Sequence, residues 1–156
     1  MAEKIARELP LTEFTIRRYE RPHSTDMRAL VKRLCLSVGL LQPGDSRDSI
    51  VDVFCVFLLH REALPIEDIV EIVRAERKAM KLPSIGMAES NLRRQVRRLK
   101  DQGWIMKTPK GYCLDEHLSL TGLFSEKIRP YLIEPTLARI EEYCRAVDDT
   151  IPRLDK

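Results

Sequence analysis

Cationic side chains are concentrated in one short stretch of the chain, residues 87–111. This stretch carries seven Lys or Arg against two Asp or Glu, a net charge of +5, whereas the whole chain of 156 residues has a net charge of +3. Most of these cations follow one another closely: Arg93, Arg94, Arg97, Arg98 and Lys100. A guanidinium group binds planar anions through paired hydrogen bonds, and an ammonium group acts as a point charge. The cluster is therefore typical of a surface that binds a polyanion, with a solvated helix face as the alternative interpretation.

The spacing of apolar residues places this cluster on a helix. Leu92, Val96 and Leu99 recur at i, i+4 and i+7, which puts them on one face, and the basic residues fill the remaining faces. Gly103 is expected to end the helix in a left-handed conformation. Two short strands should follow, joined by a turn at 108–111 in which Pro and Gly occupy favourable positions.

The preceding sequence predicts three helices that would support this unit. We expect the first over about residues 26–41, the second over 47–61 and the third from 65 to about 81. The second contains IVDVFCVFLL, which is apolar nearly all round and belongs in the centre of a core. The start of the first helix offers three side chains of the type that caps a helix N-terminus: Ser24, Thr25 and Asp26.

The first of these helices has apolar residues spaced in a heptad-like way. They lie four, three, four and three positions apart: Met27, Val31, Leu34, Val38 and Leu41. Packing into the core of the same chain and packing against a second chain both explain this spacing. The sequence leaves the two interpretations open.

Beyond the basic stretch the sequence predicts two more helices. Ser119 or Thr121 could cap a short one that runs to about residue 129, and Pro130 and Pro135 should then bracket a break. The last helix is expected over about residues 135–149. Its apolar residues again recur at helical spacing: Leu137, Ile140, Cys144 and Val147.

The order helix, helix, loop, basic helix and hairpin resembles the winged helix-turn-helix domain. The segments that carry the resemblance are PIEDIVEIV, NLRRQVRRLKDQGWI and KTPKGYCL. With the flanking helices, the element order is similar to that of MarR-type regulators, in topology alone. The resemblance implies a mainly α fold with a winged-helix domain over 45–115. It also implies two flanking regions that pair in a dimer, an N-terminal arm and helix over 1–44 and C-terminal helices over 116–156.

In such a protein, a basic recognition helix enters the major groove of double-stranded DNA, and the protein regulates transcription as a homodimer. The resemblance gives eight candidate DNA-binding residues: Ser90, Asn91, Arg93, Arg94, Arg97, Arg98, Lys107 and Lys110. Among them, Asn91, Arg93 and Arg94 are expected to read bases, and Arg97 and Arg98 to meet phosphates. The alternative is a winged-helix module for protein–protein interaction or assembly, without sequence-specific DNA binding.

Other classes of function have little support in the sequence. His23, His60 and His117 stand in separate segments, and the chain lacks a glycine-rich phosphate loop and a CxxC pair. We therefore expect neither an enzyme nor a cofactor or metal. Cys35, Cys55 and Cys144 are interpreted as small buried hydrophobic residues.

The sequence also predicts where the protein resides. The N-terminal residues lack the apolar segment of a signal peptide, and no stretch is long enough to span a bilayer. A cytoplasmic location is expected. A small-molecule effector that binds between the terminal helices and the winged helix remains an open hypothesis, for which the sequence names no ligand.

Overall fold

A computed structural model of the protein describes residues 8–152 and is built mainly of helices, with one antiparallel two-stranded hairpin. This confirms the mainly α class. In chain order the elements are α1 (Met27–Ser37), α2 (Ser49–Leu59), α3 (Ile66–Ala79), α4 (Glu89–Asp101), β1 (Met106–Thr108), β2 (Gly111–Cys113), α5 (Leu120–Leu123), a π-helical segment (Phe124–Ile133) and α6 (Glu134–Thr150).

Helix α2 forms the centre of the core, as its composition predicts. It packs against α1, α3 and α4. Its fully buried side chains include Val51, Val53, Phe54 and Phe57. The aromatic core continues through Trp104, whose ring lies 5.6 Å from that of Phe54 and 6.3 Å from that of Phe124. Trp104 thus attaches the segment just before the hairpin to the core.

Helix α1 begins where its capping residues indicate and ends earlier than expected. The Asp26 carboxylate accepts a hydrogen bond from the backbone N–H of Ala29 at 2.9 Å, which satisfies a free donor of the first turn. The helix ends at Ser37 because Gly39 takes a positive φ of 77° and turns the chain. Most of the heptad-like face packs inside the chain, since Val31, Val38 and Leu41 are buried and Leu34 is half-buried, whereas Met27 is 37% exposed.

The hairpin is anchored to the segment that precedes α3. Strand β1 pairs with β2 in the register Met106 to Cys113. On the side of β2 that faces away from β1, Tyr112 exchanges two backbone hydrogen bonds with Leu64, at 2.8 and 2.9 Å. The approach is so close that a Cβ atom on Gly111 would overlap the Leu64 carbonyl. Glycine is therefore required at this position, and the hairpin cannot swing freely away from α3.

The predicted break between Pro130 and Pro135 is wrong. Ser119 caps α5 by accepting from the Gly122 N–H at 3.0 Å, and the chain then stays helical through the π-helical segment into α6. Proline disrupts an α-helix because it lacks an N–H and crowds the carbonyl four residues earlier. The wider π turn changes that bonding pattern, so Pro130 lies within it, and Pro135 falls in the first turn of α6, where proline is tolerated.

Candidate functional site

Helix α4 has one buried face and one basic exposed face. Leu92, Val96 and Leu99 are at most 1% exposed, which confirms their predicted orientation. Gly103 ends the helix with a φ of 89°, as expected. The exposed face carries seven polar side chains, four of them basic: Glu89, Ser90, Arg93, Arg94, Arg97, Lys100 and Asp101. Because one face is fixed in the core, the direction of the basic face is fixed as well.

Asn91 is bonded within the protein, in contrast to the expectation that it reads bases. Its amide nitrogen donates to the Ser49 hydroxyl at 2.9 Å and to the Gly86 carbonyl at 2.7 Å. Its amide oxygen accepts from Arg94 at 3.0 Å and from Gln95 at 3.1 Å. Both donors and both lone pairs are thereby used. Asn91 fixes the start of α4 to α2, and it leaves the set of candidate base-reading residues.

Arg98 is also engaged within the protein, in contrast to the expectation of a phosphate contact. Its guanidinium donates to the Gln95 side chain at 2.8 Å and to the Leu40 carbonyl at 2.7 Å. Burial lowers the pKa of Arg98, although an arginine remains protonated at neutral pH. Arg98 therefore attaches α4 to the turn after α1.

Arg93 is exposed but paired with carboxylates. Its guanidinium donates twice to Glu89, at 2.8 and 3.1 Å, and lies 3.6 Å from Glu67. The hydrogen bond to Glu89 raises the pKa of Arg93. Pairs this exposed are weak and screened by salt, so an incoming phosphate or base edge can compete for the guanidinium.

Helix α4 and the hairpin together line one groove. A cavity of about 230 Å³ lies between them, and its lining consists of Ile66, Arg93, Arg97, Lys100, Asp101 and Tyr112. The Lys107 ammonium lies 5.8 Å from the centre of the Tyr112 ring, which carries the positive charge onto the hairpin. We call Arg93, Arg97, Lys100 and Lys107 the basic groove. Lys110, at the exposed tip of the hairpin, extends its charge.

A cluster of buried charges supports the same region and was not predicted from the sequence. Arg77 donates to Asp48 at 3.0 Å and to Asp52. Arg28 donates to Asp52 at 3.0 Å and to Asp48 at 3.1 Å. The Arg77 side chain, on α3, is only 4% exposed. The cluster joins α1, α2 and α3 through pairs of residues that lie 20 to 29 positions apart.

The arginines of this cluster keep Asp48 ionised. Burial by itself would raise the pKa of Asp48, but hydrogen bonds from Arg77 and Arg28 outweigh it and lower the pKa below its ordinary value. Arg77 also donates to the Pro83 carbonyl in the connection between α3 and α4. The cluster therefore fixes the path of the chain just before α4, as Asn91 does at the start of that helix.

Within residues 8–152, no group of three or more His, Cys, Asp or Glu side chains is arranged to hold a metal ion. Cys35 is buried, and burial raises its pKa to about 12. Burial also raises the pKa of Cys113, which disfavours the reactive thiolate. Cys144 is exposed, so the prediction that it is buried is wrong.

Comparisons with known proteins leave the basic groove as the main guide to function. The chain matches no family model, no curated protein and no solved structure. No helix in the part of the chain that the structure describes is both long and apolar enough to cross a membrane. Any proposal for function must therefore rest on the geometry of this chain.

Proposed function

We propose that the protein is a winged-helix DNA-binding regulator of transcription that acts as a homodimer. The observation that carries the proposal is the basic groove. Helix α4, whose orientation is fixed, presents Arg93, Arg97 and Lys100 to a space that Tyr112 of the hairpin also lines. Lys107 lies beside the Tyr112 ring. The major groove of B-DNA is wide enough to admit an α-helix, and phosphates flank it on both sides.

The exposed residues divide by position along α4. Ser90, Arg93 and Arg94 lie in the N-terminal half, which approaches base edges when such a helix docks. Arg97 lies further along and, with Lys100, faces the groove, where phosphates would meet them. Arg93 would exchange Glu89 and Glu67 for acceptors on the DNA. Glu89 would then disfavour wrong placements of α4 on the DNA, because a Glu89 carboxylate without a cation partner repels phosphate.

The hairpin adds a second contact. Lys107 lies in β1 and Lys110 in the turn, and both are exposed. The backbone hydrogen bonds between Tyr112 and Leu64 hold the hairpin against the segment before α3. They are placed to meet the backbone or the minor groove next to the site that α4 reads.

The test is binding of mixed-sequence duplex DNA at several salt concentrations, followed by fluorescence anisotropy. Four to six exposed cations per subunit, each meeting one phosphate, would give a slope of log affinity against log salt of about −4 to −5 per subunit, and twice that for a dimer. Arg93→Ala with Arg94→Ala should weaken binding at least tenfold. Arg129→Ala with Arg145→Ala is the control with the same loss of charge, since it also removes two exposed arginines but leaves the basic groove intact.

Two results would contradict the proposal. A salt slope near zero would show that the basic groove does not meet phosphates. Equal loss of binding in the control variant would show a general effect of charge, and either result would favour the protein-interaction module. Selection of bound sequences from random DNA then tests sequence specificity, and a palindromic product would agree with a two-fold symmetric dimer.

A further inference from the structure

The exposed face of α4 is bounded on two sides. On one side lies the basic groove. On the other side lies the connection from α1 to α2, which is bonded to α4 at two places. The Arg98 guanidinium donates to the Leu40 carbonyl at 2.7 Å, and the Asn91 amide donates to the Ser49 hydroxyl at 2.9 Å. These two residues of α4 are separated by about 10 Å along the helix axis, so the connection runs alongside α4.

The N-terminal arm is attached to the same connection. The Arg17 guanidinium donates to the carbonyls of Leu36 and Leu41, at 2.8 and 3.2 Å. Leu41 follows Leu40, whose carbonyl accepts from Arg98, so two arginines from distant parts of the chain bond to adjacent carbonyls. The arm at Arg17 and the C-terminal half of α4 therefore meet at one turn of the chain.

The arginines at this junction keep their positive charge. Every hydrogen bond that the structure describes from the side chains of Arg17, Arg94 and Arg98 goes to a carbonyl or amide oxygen. Arg93, on the side of the basic groove, is instead paired with two carboxylates. A neutral acceptor satisfies a guanidinium without cancelling its charge, so this second side of α4 attracts anions.

Two further arginines are exposed along the arm and the connection. Arg18 directly follows Arg17 in the arm, and Arg47 lies two residues before Ser49 in the connection. We call Arg18 and Arg47 the loop flank. Arg94, which is exposed on α4, belongs to the same side of the helix as the contacts of Arg98, so cations continue from α4 toward the loop flank.

The acidic residues of this region are fewer than its arginines. The Asp45 carboxylate accepts the backbone N–H of Arg47 at 2.9 Å, and its charge acts on Arg98. Residues 17–18 and 42–47 together hold three arginines and one aspartate, a net charge of +2. Glu20, further along the arm, is exposed as well. Attraction of a polyanion should exceed repulsion here, and Asp45 should oppose it.

We propose that the loop flank binds the phosphate backbone of DNA on the side of α4 opposite to the hairpin. The inference rests on the proposed function and adds Arg18 and Arg47 to the residues that contact DNA. The major groove is about 12 Å wide and is bordered by two backbones. A helix with its side chains is about 10 Å across, so a helix in the groove has one backbone on each side. The hairpin lysines face one backbone, and the loop flank faces the other.

Fluorescence anisotropy with mixed-sequence duplex DNA at several salt concentrations tests the loop flank. Arg18→Ala with Arg47→Ala should weaken binding about fivefold or more and make the slope of log affinity against log salt shallower by about 2 per subunit, because two phosphate contacts are lost. Arg18→Lys with Arg47→Lys keeps both charges and should keep the slope. Arg129→Ala with Arg145→Ala is the control with the same loss of charge elsewhere, and it should leave the slope unchanged.

Asp45→Asn changes the charge of the connection in the opposite direction. The asparagine oxygen can still accept the Arg47 N–H, so the turn is retained while the repulsion of phosphate is removed. DNA binding should become about twofold tighter or more. Unchanged or weaker binding would show that no phosphate approaches the connection and would overturn the proposal.

Combination with the hairpin tests whether the two surfaces meet different phosphates. Lys107→Ala with Lys110→Ala should also make the slope shallower by about 2 per subunit, and all four substitutions together should make it shallower by about 4. A fourfold variant whose slope equals that of the hairpin variant alone would show that the loop flank adds no contact of its own. That result would overturn the proposal.

Failure of this inference differs from failure of the proposed function. If Arg93→Ala with Arg94→Ala weakens DNA binding while Arg18→Ala with Arg47→Ala leaves affinity and slope at the wild-type values, the inference is wrong and the proposed function stands. If the wild-type chain does not bind DNA, both are wrong. Thermal unfolding should be nearly the same for wild type and the loop-flank variants, because both side chains are exposed.

Discussion

Helices α1 and α6 carry apolar residues at nearly the same spacing, and the structure uses them in opposite ways. In α1 the face is buried against α2, so Val31 is only 4% exposed. In α6 the face is open, and Val147 is 57% exposed. Heptad-like spacing therefore indicates that a face will be covered, but it does not indicate by which chain. What differs is the neighbouring sequence, since α1 is followed by the nearly all-apolar α2.

The same valine-to-aspartate substitution in α1 and in α6 should give the largest difference in unfolding free energy. Val31→Asp buries an unpaired carboxylate, which should lower the free energy of unfolding by more than about 4 kcal/mol. Val147→Asp should change it by no more than about 0.5 kcal/mol, because the side chain is already in water. Urea denaturation of dilute, monomeric protein measures both.

That comparison would break down in one of two ways. A tolerated Val31→Asp would show that α1 is not part of the core. A large loss of monomer stability in Val147→Asp would show that this face of α6 packs within its own chain.

A smaller difference is expected for arginines inside and outside the core. Arg77→Ala leaves Asp48 and Asp52 buried with one cation fewer, which should cost about 3–5 kcal/mol. Arg145→Ala removes an exposed pair with Glu141 in α6 and should cost less than about 0.5 kcal/mol. Thermal and urea unfolding of the two variants, each compared with wild type, would give both values.

Equal costs would contradict this view of the cluster. If Arg77→Ala were as mild as Arg145→Ala, Arg28 and water would suffice to satisfy the two aspartates. The connection from α3 to α4 would then be held by other contacts, such as the hydrogen bond from Arg74 to the Met87 carbonyl at 3.0 Å.

The smallest expected effect is the change with pH in the stability that Asp48 contributes. The pKa of Asp48 is lower in the folded chain than in the unfolded one, so its contribution to stability is present above the unfolded value of about 4 and is lost as the pH falls through the folded value. The difference in unfolding free energy between wild type and Asp48→Asn should therefore be largest near neutral pH and shrink in acid. Asp148→Asn, on exposed α6, is the matched control. A difference that does not vary with pH would contradict the lowered pKa.

The sequence predicted those parts of the fold that local rules determine. The buried face of α4 follows from the spacing of Leu92, Val96 and Leu99, and its end follows from Gly103. The start of α1 follows from Asp26, whose side chain has a backbone donor within three residues. In each case the partners lie within one or two turns of helix, so spacing alone is sufficient.

The parts that the sequence did not predict depend on distant partners. Arg77 looks like any solvated residue until Asp48 and Asp52, more than 20 positions away, are placed beside it. Asn91 and Arg98 looked available to DNA until Ser49, Gly86 and the Leu40 carbonyl came within hydrogen-bond distance. Nor does spacing reveal that a wider helical turn accepts Pro130. Whether a polar side chain is free is a tertiary property.

The uninterrupted run of helix from Leu120 to Thr150 has a consequence for how a regulator could measure DNA. Ile128 within this run is buried and approaches Gly103, at the end of α4, so the run is attached to the base of the candidate recognition helix. If two copies join through α6, the length of this helical run determines the distance between their two α4 helices. The spacing between half-sites, in base pairs, would then depend on the length of a helix that touches no base, separately from any bases that Arg93 and Arg94 would contact.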